Sequence, residues 1–323
     1  MGGRKNPAVR LGGVMGLVLS RTTINRQVLL GSGFALLAAV GFSGKAILVK
    51  LAYLHGVDAV TLLALRMSFS VPLFFAVAIW SRNQNHSSPL KREDWGAIVG
   101  LGFIGYYLSS LLDFLGLLYI SAGLERLVLF LYPTMVVILS AILLKRPFGR
   151  REFSSLALSY AGIALVFLHD LSAVQKGIVL GTLFVFASTL TYSVYLLGAE
   201  RLIARVGAIR FTAYAMIVAS IATLIQFVLT HPIAAIQQPA RVYLLSIAMA
   251  VFSTVIPVFL LSAGIRIIGS GHAALIGTAG PVSTIFMAQY FLGEEVSLQQ
   301  ICGCCLVLAG VVSISIRKCE RVA

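Results

Sequence analysis

The chain has 323 residues, of which 59% are hydrophobic and only 11% charged, with a mean hydropathy of +0.96. A soluble domain carries about a quarter charged residues, so this composition excludes a soluble enzyme, a disordered chain and a fibre. The formal charge of +14, from 25 Lys and Arg against 11 Asp and Glu, points to nucleic acid in a soluble protein but to orientation-setting loops in a membrane protein.

Residues 1–28 carry Arg4, Lys5, Arg10, Arg21 and Arg26 and read as a basic cytoplasmic tail. Their apolar stretch, 11–20, is followed by arginines and no small-residue cleavage site, unlike a signal peptide. Apolar runs of spanning length then occupy 29–54, 59–80, 95–118, 124–144, 153–169, 177–198, 208–230, 242–265, 271–292 and 298–316. The expected fold is an all-α integral membrane protein of ten transmembrane helices. The longest break, 81–94, is too short to hold a soluble domain. Membrane barrels need strands that alternate apolar and polar residues, and these runs do not alternate. Residues 317–323 form a short C-terminal tail. The cysteines, Cys302, Cys304, Cys305 and Cys319, crowd the last run without a disulfide framework or paired metal-ligand spacing, so no metal is expected.

Placing the basic residues on alternate sides tests this count. With the N-terminus inside, 19 of the 25 fall in inner segments, only Lys176 and Arg241 fall in outer loops, and Lys45, Lys50, Arg66 and Arg126 lie within spans. The bias puts both termini in the cytoplasm of a cell whose inner membrane holds the protein, and the nucleic-acid reading falls away.

An offset of 148 residues places Gly123, Pro133 and Gly162 on Gly271, Pro281 and Gly310. Five spans per half is an odd number, so the second copy must cross in the opposite sense. Such inverted repeats recur in secondary transporters, with substrate sites near the midplane between the halves. Proline supplies a helix break by removing one backbone donor, so Pro133 and Pro281 are candidate hinges; packing kinks are the plainer reading. Pro72 and Pro257 have no matched partner.

The stretches GFALLAAVGFSGKAILVKLA, TLLALRMSFSVPL, LLYISAGLERLVLFLYPTMVVILSAILL and GTAGPVSTIFMAQYFLGEEVSLQQICGCCLVLAGVVSI resemble the EamA family of the drug/metabolite transporter superfamily. Arg66, the matched prolines and Gly293-Glu294 carry the likeness, which spans about residues 29–316. The first half departs from the pattern, with Lys145-Arg146 where Gly-Glu is usual. The resemblance implies two EamA-like five-helix repeats, 29–169 and 177–316, and export or uptake of a small metabolite.

A charge at a helix centre costs about 2.5 to 3.5 kcal/mol on the insertion scale, so the six intramembrane charges, Lys45, Lys50, Arg66, Asp113, Glu125 and Arg126, cannot all face lipid unpaired. Lys50 is near enough to its span end to snorkel; Lys45 is deeper, and is the first candidate to bind substrate. Tyr106, Ser109, Ser110 and Asp113 share one side of the third run, Glu125 and Tyr132 stack on the fourth, and Ser188, Thr191, Tyr192 and Tyr195 line one face of the sixth. Intramembrane ionisable residues mark functional sites by default; the plainer alternatives are interhelical hydrogen bonds and ion pairs of Asp113 and Glu125 with Arg66 and Arg126. The substrate-binding candidates are therefore Lys45, Arg66, Tyr106, Asp113, Glu125, Tyr132, Tyr192 and Tyr195. Asp113, Glu125 and His272 are candidates for proton coupling. The net intramembrane charge of +2 favours substrates with an anionic group, such as amino acids or organic acids.

No phosphate-cradling motif appears, and no cofactor is expected. The leading function is a secondary transporter with the lipid bilayer and a small-molecule substrate as its partners. An integral membrane enzyme would need a clustered catalytic set, and the five histidines lie singly; a scaffold or sensor leaves the repeat unexplained. Gly96 and Gly100 form a GxxxG that permits close packing within the chain or in a homodimer.

Overall fold

The computed structural model describes residues 8–82, 90–145, 149–172 and 177–320. Arg4, Lys5, Arg146, Lys176 and Arg321, counted above for topology, lie outside the described residues. All regular structure among the described residues is helical. The basic tail is continuous with the first span in α1 (Ala8–Tyr53). Then follow α2 (Ala59–Arg82), α3 (Arg92–Gly102), a π-helical segment Phe103–Leu108, α4 (Ser109–Gly116), α5 (Ala122–Leu129), α6 (Tyr132–Leu143) and α7 (Arg150–Ser172). The second half holds α8 (Ile178–Val206), α9 (Ala208–Thr230), a 3-10 turn Ile233–Ile236, α10 (Ala240–Ala250), a π-helical segment Val251–Val255, α11 (Ile256–Gly277), α12 (Ala279–Leu292) and α13 (Leu298–Glu320). Nine stretches among the described residues are long and apolar enough to cross a membrane, and Leu298–Ser313 is a shorter apolar helix.

Local chemistry sets the boundaries. Asp58 starts α2, its Oδ1 accepting the Val60 and Thr61 amides at 2.9 Å each, the role of an N-cap. At α3 the cap residue is Lys91, and Asp94 in the first turn reaches back to accept the Lys91 amide at 2.7 Å. Glycine permits the left-handed turn of Gly293 (φ 67°) that ends α12, and Gly207 (φ 88°) separates α8 from α9.

The 148-residue offset recurs in the irregularities. The π segments begin at Phe103 and Val251, and α7 and α13 at Arg150 and Leu298, each pair 148 apart. Ser121, the cap of α5, corresponds to Gly269, whose φ of 78° and ψ of 160° kink α11 so that its last turns belong to the ninth run. The fourth run breaks at Phe130 and Leu131, the ninth at Thr278. The sequence reading expected proline itself to make these breaks. Instead each proline follows one, Pro133 second in α6 and Pro281 third in α12. There the first-turn amide has no intrahelical partner anyway, so proline costs little.

Packing follows the same pairing. α1 lies against α10, α11 and α12, while α8 lies against α4, α5 and α6; α2 packs on α9 and α7 on α13. The α7–α13 contact is glycine-mediated: a Cβ on Gly162 would come 2.6 Å from the Gly303 carbonyl. One end of the bundle brings Asp94 to Arg205 and Ser81 to Arg210 and Arg266; it is called the basic end here. The far end brings Asp58 to His231 and the start of α5 to the turn after α12.

Candidate substrate cavity

A cavity of about 340 Å³ lies between the repeats, walled by α1, the broken third run, α5, α6, α8, α11 and the π segment Val251–Val255. Toward the far end its lining stops at Lys45, Asp113 and Arg126; toward the basic end it runs on to Ala35, Ile265 and Ala273.

At the upper limit Lys45 Nζ lies 2.5 Å from Asp113 Oδ2 and 3.5 Å from Glu125 Oε1. The Asp113 side chain is 2% exposed and that of Glu125 0%, against 18% for Lys45. The carboxylates thus pair with Lys45 from the first span, not with Arg66 and Arg126 as in the plainer alternative. Asp113 Oδ1 and both Glu125 oxygens find no donor at ordinary hydrogen-bond geometry, and the two carboxyl groups lie close enough to hydrogen-bond each other if one is protonated. Burying two carboxylates so incompletely bonded is costly.

Arg66 is 4% exposed. Its Nη2 donates to Ser110 Oγ at 3.1 Å, and its guanidinium lies 5.0 Å above the Phe114 ring, a cation–π contact. Arg126, in the last turn of α5, lines the cavity and its Nε has no hydrogen-bond partner. Three cations against two acids leave this region net positive if all five are ionised.

Opposite stands an aromatic wall. Tyr132 and Tyr192 meet edge to face at 5.8 Å, and both line the cavity with Tyr106. Tyr195 does not line it: 3% exposed, it donates its hydroxyl to Tyr106 Oη at 3.1 Å and stacks on Phe211 at 5.9 Å, so it supports Tyr106 from behind. Gly105 admits the Tyr195 ring, since a Cβ there would overlap it. Glu125 is likewise behind the surface, acting on the cavity through Lys45. His272 is exposed and outside the lining.

The hydroxyl stripes divide between roles. Ser109 and Ser188 clasp α4 to α8, with Oγ atoms 3.0 Å apart, and Thr191 donates back to its own helix at Ser188. These are the interhelical and local bonds of the plainer reading, although Ser109 and Ser188 also line the cavity. Thr189 and Ser193 of α8, outside the expected stripe, donate to the carbonyls of Val128 (3.2 Å) and Tyr132 (3.3 Å), either side of the break in the fourth run. Ser43 of α1 does the same for Gly280, at 2.8 Å, the residue 148 beyond Tyr132. Each broken helix is thus strapped by a serine of the opposite repeat.

Sequence reasoning missed Leu129, Gly277, Ser253 and Thr254 as lining residues. Leu129 and Gly277 are the last residues before the two matched helix breaks, 148 apart. Ser253 and Thr254 sit in the second π segment, 148 beyond Gly105 and Tyr106, so the repeat offset was the signal that could have found them. π-Bulges recur at functional sites.

Relatives place this architecture. A 33%-identical protein of Bacillus subtilis, named uncharacterized transporter YcbK, matches over 305 residues, 91% of this chain and 95% of its own. The uncharacterized transporter sll1319 of Synechocystis is 25% identical over 80% of this chain and 79% of its own. A solved crystal structure shares the fold at a TM-score of 0.62 and 19% identity, covering 90% of this chain and 98% of that one. The model of the EamA-like transporter family matches residues 29–168 and 179–316. The chain is a multi-pass membrane protein that belongs to the EamA-like transporter family.

Proposed function

We propose that the chain is a secondary transporter carrying a small metabolite with at least one anionic group, an amino acid or organic acid, across the cytoplasmic membrane by alternating access. In this reading ten spans form two inverted five-helix repeats, the basic end faces the cytoplasm with both termini, and the structure is open to that side. The observation that carries it is the cavity itself: it lies between the repeats at their matched helix breaks, holds Arg126 and Arg66 beside a tyrosine wall, and continues toward one end only. An anionic group on Arg126 gains a charge-assisted, potentially bidentate bond, while Tyr106, Tyr132 and Tyr192 offer apolar faces with hydroxyl edges.

Proton coupling belongs to Asp113 and Glu125. Two buried carboxylates share one ammonium and lie within hydrogen-bond reach of each other, so a proton taken up there relieves repulsion between them. The transporter names of the relatives favour a carrier over a membrane enzyme. Purified protein in liposomes, tested with labelled amino acids, organic acids and amines under an imposed pH gradient, decides the matter. Uptake of acids or zwitterions driven by the gradient supports the reading; preference for purely cationic amines refutes it.

A further inference from the structure

The α5 half-helix carries Glu125 and Arg126 into the centre, and its start is held from the other repeat. The Ala122 amide donates to Glu294 Oε1 at 3.0 Å, and the Gly123 amide to Glu294 Oε2 at 3.4 Å. The Leu124 amide donates to Ser121 Oγ at 3.1 Å, and that hydroxyl donates to Asp170 Oδ2 at 3.2 Å. Glu294 stands in the turn after α12, next to Gly293 at φ 67°. A carboxylate there meets both the free first-turn amides and the positive end of the helix dipole. Lys50, near the end of α1, lies within electrostatic reach of Glu294 and of Glu125.

Asp58 and Asp94 cap helices of their own repeat, whereas Glu294 caps a helix of the opposite repeat, at the far end and beyond the limit of the cavity lining. The repeat has no counterpart to it in sequence: 148 residues before Glu294 stands Arg146, which cannot accept an amide hydrogen bond. The kink at Gly269, which matches Ser121, therefore receives no carboxylate from the corresponding position.

We infer that Glu294 is a positioning residue that latches the far end shut, holding α5 so that Glu125 meets Lys45 and Arg126 meets the cavity, and that this carboxylate leaves the α5 amides when the far side opens. This inference rests on the alternating-access reading, and its test is separable from transport. The four native cysteines are replaced by serine, Leu129→Cys is introduced as a cavity reporter, and oriented vesicles are treated from the far side with a membrane-impermeant thiol reagent.

Glu294→Gln keeps the size of the side chain but loses the charge and one acceptor. Ala122→Pro removes the donor at the first helical position, where proline fits and the preceding Ser121 is already extended at ψ 154°. The expected result is about tenfold faster far-side labelling of the reporter thiol in either variant than in the parent, since a charge-assisted bond is roughly twice as strong as a neutral one. Unchanged far-side labelling in both variants overturns the latch, whatever their transport. Faster labelling in a protein whose parent moves no tested acid or zwitterion supports the latch and counts against the substrate class proposed above.

Discussion

Replacing Lys45 by Met isolates the electrostatics of the cavity's upper limit, because Met fills much of the same volume without the charge. Lys45 Nζ is 2.5 Å from Asp113 and 3.5 Å from Glu125. Coulomb attraction falls as 1/r, so at equal charge and dielectric the Asp113 contact is about 1.4 times the stronger. Removing one partner of a buried pair costs about 3 to 5 kcal/mol, chiefly because the other charge is left uncompensated. Lys45→Met is therefore expected to lower stability by about that amount. Adding Asp113→Asn removes the orphaned charge and restores more of the loss than adding Glu125→Gln. Unfolding of the detergent-solubilised protein reports stability, and liposome uptake reports function. The double variant with Asp113→Asn regains stability but not gradient-driven uptake. A Lys45→Met protein that keeps parental stability within about 0.5 kcal/mol and transports normally would refute the pairing as the organising contact of the site.

Three further outcomes follow from separate contacts. Arg126→Met raises the KM for an anionic substrate at least tenfold with a smaller change in maximal rate, because it removes a ground-state contact; equal effects on neutral and anionic substrates would count against it. Gly162→Ala places a methyl against the Gly303 backbone and destabilises the α7–α13 pair by about 1 to 3 kcal/mol, read by unfolding and by loosened cross-linking between α7 and α13. At Asp58, burial raises the carboxyl's pKa, but Thr61, the nearby His231 and the Val60 amide outweigh it and hold the value below the ordinary one. Its contribution is then complete above the ordinary aspartate value near 3.9 and is lost as pH falls through the lower folded value. Asp58→Asn should accordingly unfold more easily than the parent at neutral pH, with the gap narrowing only as pH falls below the ordinary aspartate value and through the lowered folded one; a gap that does not narrow on acidification contradicts the assignment.

The sequence was most legible where a single physical demand acts on each residue. Backbone groups in hydrocarbon must bond within their own segment, so long apolar runs fixed the helices, and even their ends are close: the fifth run, expected at 153–169, is α7 at Arg150–Ser172. The cost of a charge in lipid picked out Lys45, Arg66 and Asp113, and helical spacing Tyr106, Tyr132 and Tyr192, all of which line one cavity. Helical spacing did not reach the π segment at Val251–Val255, which puts Ser253 and Thr254 on the cavity. In the sixth run, an uninterrupted α-helix, Thr189 rather than Thr191 reaches the cavity because the neighbouring helices decide which part of the polar face is turned inward.

By itself, then, the sequence determined that the chain is a helical membrane protein, where its runs lie and which half holds the buried charges. These follow from the cost of exposing polar groups to lipid, which each segment meets alone. Only the tertiary structure decided who meets whom: Lys45 between Asp113 and Glu125, Tyr195 behind Tyr106, Ser43 on Gly280 and Glu294 on the start of α5. Partners 68, 89, 237 and 172 residues apart are chosen by how the helices cross, and helical periodicity, which relates residues within about two turns, carries no information at that range.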